Sequence, residues 1–307
     1  MITLWRGSCN QWDCDEMGHM NVRLYVEKQM EGLAAFSHAL AMPYAFQENA
    51  PSTLVPVDQH VRFIREVLPG RPLTMQGCVV SIGESDAVIY QELRHSDGLL
   101  SAAFLTRVAH IDTKARETFG WSRRARAALE AHIDTPPAEA APRSFDPDAP
   151  TLATAAIGIE QARDLGMPLI GKGAVPQHHL DMHGRMAPPW IIGRISDSVP
   201  NLLFDWRNRV AGADKGRRMG AAVLENRLRY HRWPKAGDLF EIYTSLGGTA
   251  EKTHSLVHWM MDPATGKPWA TSQVVAITLD LEKRKAMPTP PDMLAELETL
   301  APRGLSL

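Results

Sequence analysis

Three stretches of this chain recur in its second half, in the same order and at almost the same interval. DCDEMGHMNVRLYV (Asp13 to Val26) is answered by HLDMHGRMAPPWII, with Asp15 falling on Asp181, 166 positions on. HVRFIREVLPGRPL (His60 to Leu73) is answered by RLRYHRWPKAGDLF (Arg227 to Phe240), with Gly70 on Gly237 at 167. AAFLTRVAHID (Ala102 to Asp112) is answered by ATSQVVAITLD (Ala270 to Asp280) at 168. Small loop insertions make an offset drift in this way, and three pairings in register are not chance. The chain must therefore fold as two copies of one unit, and 307 residues suit two domains of ordinary size.

Between the copies, TPPAEAAPRSFDPDAP begins at Thr135 and carries Pro136, Pro137, Pro142, Pro147 and Pro150. Proline at that density excludes helix and central strand, so the stretch reads as an exposed linker. The expected division is domain one over 1–130, a Pro/Ala-rich linker and connecting segment over 131–164, domain two over 165–290, and a C-terminal tail over 291–307. Within copy one, a short strand and a polar loop lead to a helix from Asn21 to about Ala41. Arg23, Glu27 and Glu31 form its narrow polar stripe; Val22, Tyr25, Val26, Met30, Leu33, Phe36 and Leu40 form a wide apolar arc. So wide an arc implies burial on most sides. Strands follow at Val55–Arg65, Leu73–Ile82, Ala87–His95 and Leu99–Ile111, with turn signals Pro69-Gly70 and Asp97-Gly98. Short turns between successive strands favour an antiparallel sheet. One mostly buried helix wrapped by one long antiparallel sheet is an α+β unit.

That arrangement, with an acidic residue, Gly-His, Asn and Tyr leading into the helix (Asp15, Gly18, His19, Asn21 and Tyr25), resembles the hotdog-fold thioesterases. The run LDMHGRMAPPWIIGRISDSVP is similar to the second-copy motif of tandem acyl-carrier-protein thioesterases. The resemblance covers both halves but not the linker and tail. It implies a double hotdog whose two units pair as an intramolecular pseudo-dimer, since hotdog sites form where two central helices face each other. It also implies hydrolysis of an acyl-CoA or acyl-carrier-protein thioester, with no cofactor and no metal.

Thioester hydrolysis needs an acid or base for water, donors for the developing oxyanion, and a groove for the acyl chain and pantetheine. An Asp before a helix can orient or deprotonate a water, and the first N–H groups of a helix can face an oxyanion. Gly18 would let the backbone approach the substrate. By the resemblance, Asp15 activates water or attacks directly, while His19 and Asn21 orient the thioester or the water. Taken singly, each has a plainer reading: Asp13 or Asp15 as an N-cap, His19 as a hydrogen-bonded structural residue, Asn21 as a cap. Choosing Asp15 over Asp13 rests on the alignment. Glu31 is a further candidate base on the helix, its repeat partner Asp197 being also acidic, whereas Glu27 suits an i, i+4 pair with Arg23.

Copy two departs from the motif. It keeps Asp181, but Arg185 stands at the His position and Ala187 at the Asn position, followed by Pro188 and Pro189, which are tolerable in a first helical turn. His183 could stand in for the imidazole; alternatively this half supports the other site, or Arg185 binds a substrate phosphate or carboxylate. His178, His179, Asp181 and His183 lack the fixed spacing of a metal site. For substrate binding, Arg62 and Arg65, repeated as Arg229 and Arg232, are candidate contacts for the phosphates of coenzyme A, or else a solvated strand face; Tyr25 is a further candidate substrate contact. Arg207, Arg209, Lys215, Arg217 and Arg218 read as a basic surface loop on which an acidic carrier protein can dock. Trp190, Trp206, Trp233, Trp259 and Trp269 read as core or groove wall.

A formal net charge of -2 gives no argument for nucleic acid, and no apolar run reaches the roughly 18 to 20 residues of a membrane span. No signal peptide is visible at the N-terminus. Cys9, Cys14 and Cys78 are an odd set without CxxC spacing, which fits a reduced cytoplasm better than a disulfide framework. A cytoplasmic thioesterase, open to further oligomerisation, is the expectation. Its rivals are a non-catalytic acyl-binding or assembly module, favoured by the altered second motif, and a hotdog hydratase or dehydratase, whose Gly-Asp, Asn-Pro and His loop has no counterpart here.

Overall fold

The computed structural model describes residues 1–145, 157–213 and 219–299. Two compact units emerge: Met1–Arg143 with Leu180–Pro189, and Ser144–His179 with Trp190–Leu307. Each is an antiparallel sheet with one long helix, the α+β architecture expected.

In the first unit, β1 (Ile2–Ser8) is followed by α1 (Val22–Ala39), β2 (Ser52–Phe63), β3 (Pro72–Ile82), β4 (Asp86–His95) and β5 (Leu100–Asp112). The strand order is β1-β3-β4-β5-β2, with every neighbouring pair antiparallel. Helix α1 begins one residue later than expected because Asn21 is its cap, Oδ1 accepting from the Arg23 N–H at 2.9 Å. Leu33, Phe36 and Leu40 from the helix pack with Val79, Ala87, Ile89 and Val108 from the sheet. Tyr90 and Cys78, on the opposite face, join a second cluster with Leu100, Ala103 and Ala140. Burial on both faces explains why these strands read as nearly continuous apolar runs rather than a clean alternation.

Over its described residues the Pro-rich stretch is largely exposed or half-buried, as expected, but it is pinned to the unit at one point, Ala140. After α2 (Arg123–Ala131), Asp134 N–H donates to the Val79 carbonyl and Val79 N–H to that of His132. Ala140 is buried, and the Arg62 guanidinium donates to the carbonyls of Glu139 and Ala141. Proline removes N–H donors but not carbonyl acceptors, so a Pro-rich chain can be pinned by a cation from beneath. Pro147 and Pro150 lie outside the described residues.

The second unit repeats the plan: α3 (Ile159–Asp164), β6 (Leu169–Ala174), α4 (Pro188–Ala213), β7 (Met219–Tyr230), β8 (Leu239–Thr249), β9 (Thr253–Met261), β10 (Pro268–Asp280), β11 (Lys285–Met287) and α5 (Pro291–Thr299). Its order is β6-β8-β9-β10-β7, with β11 added on β10. Pro188 and Pro189 open α4, the one place a helix accepts them freely. α4 runs 26 residues against 18 for α1, which places Arg207 and Arg209 in a helix rather than the expected loop; Lys215, Arg217 and Arg218, like the Trp206 side chain, lie outside the described residues. The expected tail is helical from Pro291 to Thr299. Trp259 and Trp269 are core, as expected. Among the described residues no helix is long and apolar enough to cross a membrane.

Candidate active site

The polar loop between β1 and α1 is built by its own backbone. A single 3-10 turn over Gln11–Asp13 delivers Cys14, which bridges to Met20 and closes a small loop. Inside it, the Asp15 N–H donates to the His19 carbonyl at 3.1 Å and the Gly18 N–H to the Asp15 carbonyl at 2.9 Å. Asp15 Oδ1 accepts from the Met17 N–H at 3.0 Å, an Asx turn of the kind Asp favours. Gly18 has φ +73°, and a Cβ there would meet nothing within 4 Å. The left-handed backbone conformation by itself favours glycine at this position.

With Oδ1 fixed by Met17, Asp15 Oδ2 lies 3.6 Å from His19 Nε2. The other imidazole nitrogen, Nδ1, is 3.2 Å from Glu66 Oε1. Carboxylate, imidazole and carboxylate thus stand in line, with side chains 19%, 14% and 32% exposed. Burial pushes the Asp15 carboxyl above its ordinary range, opposed by the charge of His19 and by the Met17 N–H. A carboxylate made more basic and held beside an imidazole is suited to taking a proton from water.

The neighbouring acids have other work. Asp13 is buried, accepts from the Asn10 N–H at 2.9 Å and lies 3.7 Å from the buried Lys28 ammonium. Its carbonyl accepts from the Asn21 N–H. Glu31 stands on the exposed side of α1, ten residues past Asn21 and so about 15 Å along the helix, where its Oε2 accepts from Trp5 Nε1 at 2.7 Å. The Glu27 side chain pairs with Arg23 at 2.9 Å. Asn21 spends Oδ1 on the helix cap, and Arg23 and Leu24 N–H groups are committed to Asn21; the helix start is thus less available as an oxyanion hole than expected.

Glu66 escaped sequence reasoning, although a signal for it was present. At the offset of 167 its counterpart is Trp233, so an acid next to the paired arginines Arg65 and Arg232 occurs in one copy only.

Copy two has the same backbone loop with different chemistry. Leu180 bridges Met186, the Asp181 N–H donates to the Arg185 carbonyl at 2.7 Å, Gly184 has φ +70°, and Asp181 Oδ1 accepts from the His183 N–H at 2.8 Å. Here Asp181 Oδ2 is taken by Arg185, through Nε at 3.1 Å and Nη2 at 2.8 Å. His183 does not replace the imidazole: its Nε2 points to the Ala45 carbonyl at 3.5 Å. His179 stacks on Trp190, with ring centroids 3.7 Å apart, and among the described residues no group of three or more His, Cys, Asp or Glu side chains is placed to hold a metal.

Several expected substrate contacts are structural. Tyr25 is buried in edge-to-face contact with Phe63, and burial drives its phenol pKa up. Arg62 holds the connecting segment. Arg232 is bonded to Asp262 at 3.2 Å, also reaches Thr265, and lies 4.1 Å over the Trp269 ring. Arg65, exposed, donates through Nη1 to the Leu100 carbonyl; Arg229 is half-buried. The Arg62 guanidinium is thus spent on two carbonyls and that of Arg232 on the Asp262 carboxylate, so both expected phosphate contacts already have partners within the chain.

In sequence, the pattern of the thioesterase-like superfamily matches residues 9–141 and 176–297. No curated protein matches the chain in sequence. Among solved structures, a protein described as an oleoyl thioesterase from Lactobacillus plantarum is similar with a TM-score of 0.68 at 11% identity, over 90% of this chain and 95% of that one. The 12:0-ACP thioesterase from Umbellularia californica gives 0.68 at 12% identity, over 89% and 93%. An acyl-ACP thioesterase from Bacteroides thetaiotaomicron gives 0.62 at 11%, over 89% and 96%. Identities this low speak to the fold, a tandem double hotdog.

Proposed function

This chain belongs to the thioesterase-like superfamily, and on that premise we propose that it hydrolyses an acyl thioester of coenzyme A or an acyl carrier protein at a site centred on Asp15. The observation that carries the reading is the line Asp15, His19, Glu66, with Asp15 Oδ2 turned to the imidazole and its carboxyl made more basic by burial. In the reaction, Asp15 takes a proton from a water whose oxygen adds to the thioester carbonyl. The tetrahedral intermediate then breaks its C–S bond, and the departing thiolate recovers the proton. His19, held by Glu66, keeps Asp15 oriented and offers a positive edge to the developing charge. Two similar structures are named as a 12:0-ACP and an acyl-ACP thioesterase, which supports a carrier-protein substrate without separating it from coenzyme A.

Copy two does not hydrolyse in this reading, because the Arg185 fork occupies the carboxylate oxygen that Asp15 leaves to His19. The test is thiol release from a panel of acyl-CoA and acyl-carrier substrates. Asp15→Asn should reduce turnover by about 10² to 10⁴-fold. An Asp15→Asn protein that turns over at the wild-type rate, or a wild type that releases no thiol from any substrate, overturns the proposal.

A further inference from the structure

Two of the three cysteines flank the catalytic loop and meet: Cys9 Sγ lies 3.7 Å from Cys14 Sγ, and both sulfurs also face the Asn10 carbonyl, at 3.6 and 3.5 Å. Cys9 is fully buried and Cys14 half-buried. Cys9 is also fixed from the sheet side, its N–H donating to the Arg71 carbonyl and its carbonyl accepting from the Gly70 N–H. Cys14 is held within its own loop, its N–H donating to the Gln11 carbonyl and its bridge to Met20 closing the loop, and Asp15 is the next residue.

We propose that Cys9 and Cys14 are a peroxide-responsive thiol pair whose disulfide displaces Asp15 and switches the loop off. This rests on the reading of Asp15 as the catalytic base. Cys14, the accessible sulfur, loses its proton to solvent and attacks a hydroperoxide; the O–O bond breaks, leaving a sulfenic acid on Cys14 and an alcohol or water. Cys9 then attacks the Cys14 sulfur, the S–S bond forms, and the S–O bond breaks, with hydroxide leaving as water by taking the Cys9 proton. In sum, two thiols give two electrons and two protons to one hydroperoxide. Burial, followed by the hydrogen bond to Cys14, pushes the Cys9 thiol up to about 12, which leaves Cys14 as the sulfur that meets the oxidant.

Bond formation must shorten the sulfur separation from 3.7 Å to about 2.0 Å. Whatever part of that movement the Cys14 backbone takes up passes directly to Asp15, the next residue. A misplacement of about 1 Å in a catalytic group can cost roughly 10²-fold in rate.

The full chain, reduced, is treated with one equivalent of hydrogen peroxide, quenched with catalase and weighed intact. A loss of about 2 Da is expected in wild type and Cys78→Ser and absent in Cys9→Ser and Cys14→Ser. Turnover of the oxidised protein should fall at least ten-fold and return with dithiothreitol, while Cys9→Ser stays active under the same dose. Oxidation that adds about 32 Da at Cys14 without the 2 Da loss overturns the pair, as does a disulfide form that keeps full activity. Should the reduced protein hydrolyse no thioester, the catalytic reading falls separately. The switch is then decided by the mass change together with amide exchange at Asp15 and Gly18, and unchanged exchange on oxidation overturns it.

Discussion

At the scale of single residues, the division of labour between two aspartates two positions apart is the sharpest claim. Asp13 holds the Asn10 N–H and a buried ammonium, whereas Asp15 presents one oxygen to His19. Asp13→Asn leaves Lys28 as a buried cation without its carboxylate, a loss of about 3 kcal/mol or more, and should lower the melting temperature by on the order of 10 °C. Asp15→Asn should do the opposite. Because burial raises the Asp15 pKa in the fold, its ionised form is less favoured folded than unfolded. Ionisation therefore weakens the fold as pH rises through its unfolded and then its folded pKa, and a neutral Asn at pH 7 keeps or raises the melting point. Thermal scans of the two variants, set beside their turnover, check the assignment; a destabilised Asp15→Asn with a stable Asp13→Asn reverses it. The same shift governs the rate. As a base, Asp15 must be ionised, so kcat/KM should fall on acidification at a pH above the ordinary carboxylate range of about 4. His19→Gln removes the charge that opposes the shift, and the acid limb of the pH profile should move to still higher pH.

At the scale of elements, the hydrophobic pattern predicted the helices and strands well but not the polar groups between them. The strands of copy one were readable from Val, Ile, Leu and Phe runs between Gly-containing turns, and the start of α1 from Asn21, because those signals are local. The arc of α1 was expected to be apolar, yet Gln29 is fully buried in it and hydrogen-bonds Gln59 and Gln91 from the sheet. No sequence period announces such a pairing, since each Gln alone looks like a surface residue. Glu66 is the same case in the site: 47 positions separate it from His19, and only the fold brings them together. Copy two places a histidine at the corresponding depth. His258 is buried in β9 with Nδ1 2.8 Å from Thr244 Oγ1, and burial lowers its pKa to about 4. A histidine kept neutral in the fold but free to charge when unfolded costs stability as pH falls below the unfolded value near 6.5, and the loss accumulates until pH 4. With about 1.4 kcal/mol per pKa unit, a few kcal/mol are at stake. Melting temperature measured from pH 7 to 4 should fall less steeply for His258→Asn than for wild type; parallel curves refute the linkage.

At the scale of the whole molecule, duplication has preserved a backbone and let its chemistry diverge. Both loops close with the same bridge, the same left-handed glycine and the same Asp-to-amide bond. At the positions of His19, the capping Asn21 and Glu66, though, copy two has Arg185, Ala187 and Trp233. The retained aspartate is then explained by structure: Asp181 organises the loop through Oδ1 and neutralises Arg185 through Oδ2. Two consequences follow that separate a silent site from a merely weaker one. Asp181→Asn should leave turnover within about two-fold of wild type while loosening the loop, since Arg185 loses a charged bidentate partner worth more than a neutral hydrogen bond. Arg185→His should take the guanidinium off Asp181 Oδ2 and put an imidazole beside it, on a loop that already has the right backbone. In a background where Asp15→Asn has removed the first site, that substitution is expected to return thioester hydrolysis above the residual rate by at least ten-fold. Recovery that survives a further Asp181→Asn would mean that the rebuilt pair is not the source of the activity. A large loss from Asp181→Asn alone in the wild type would mean that the two loops never divided the work.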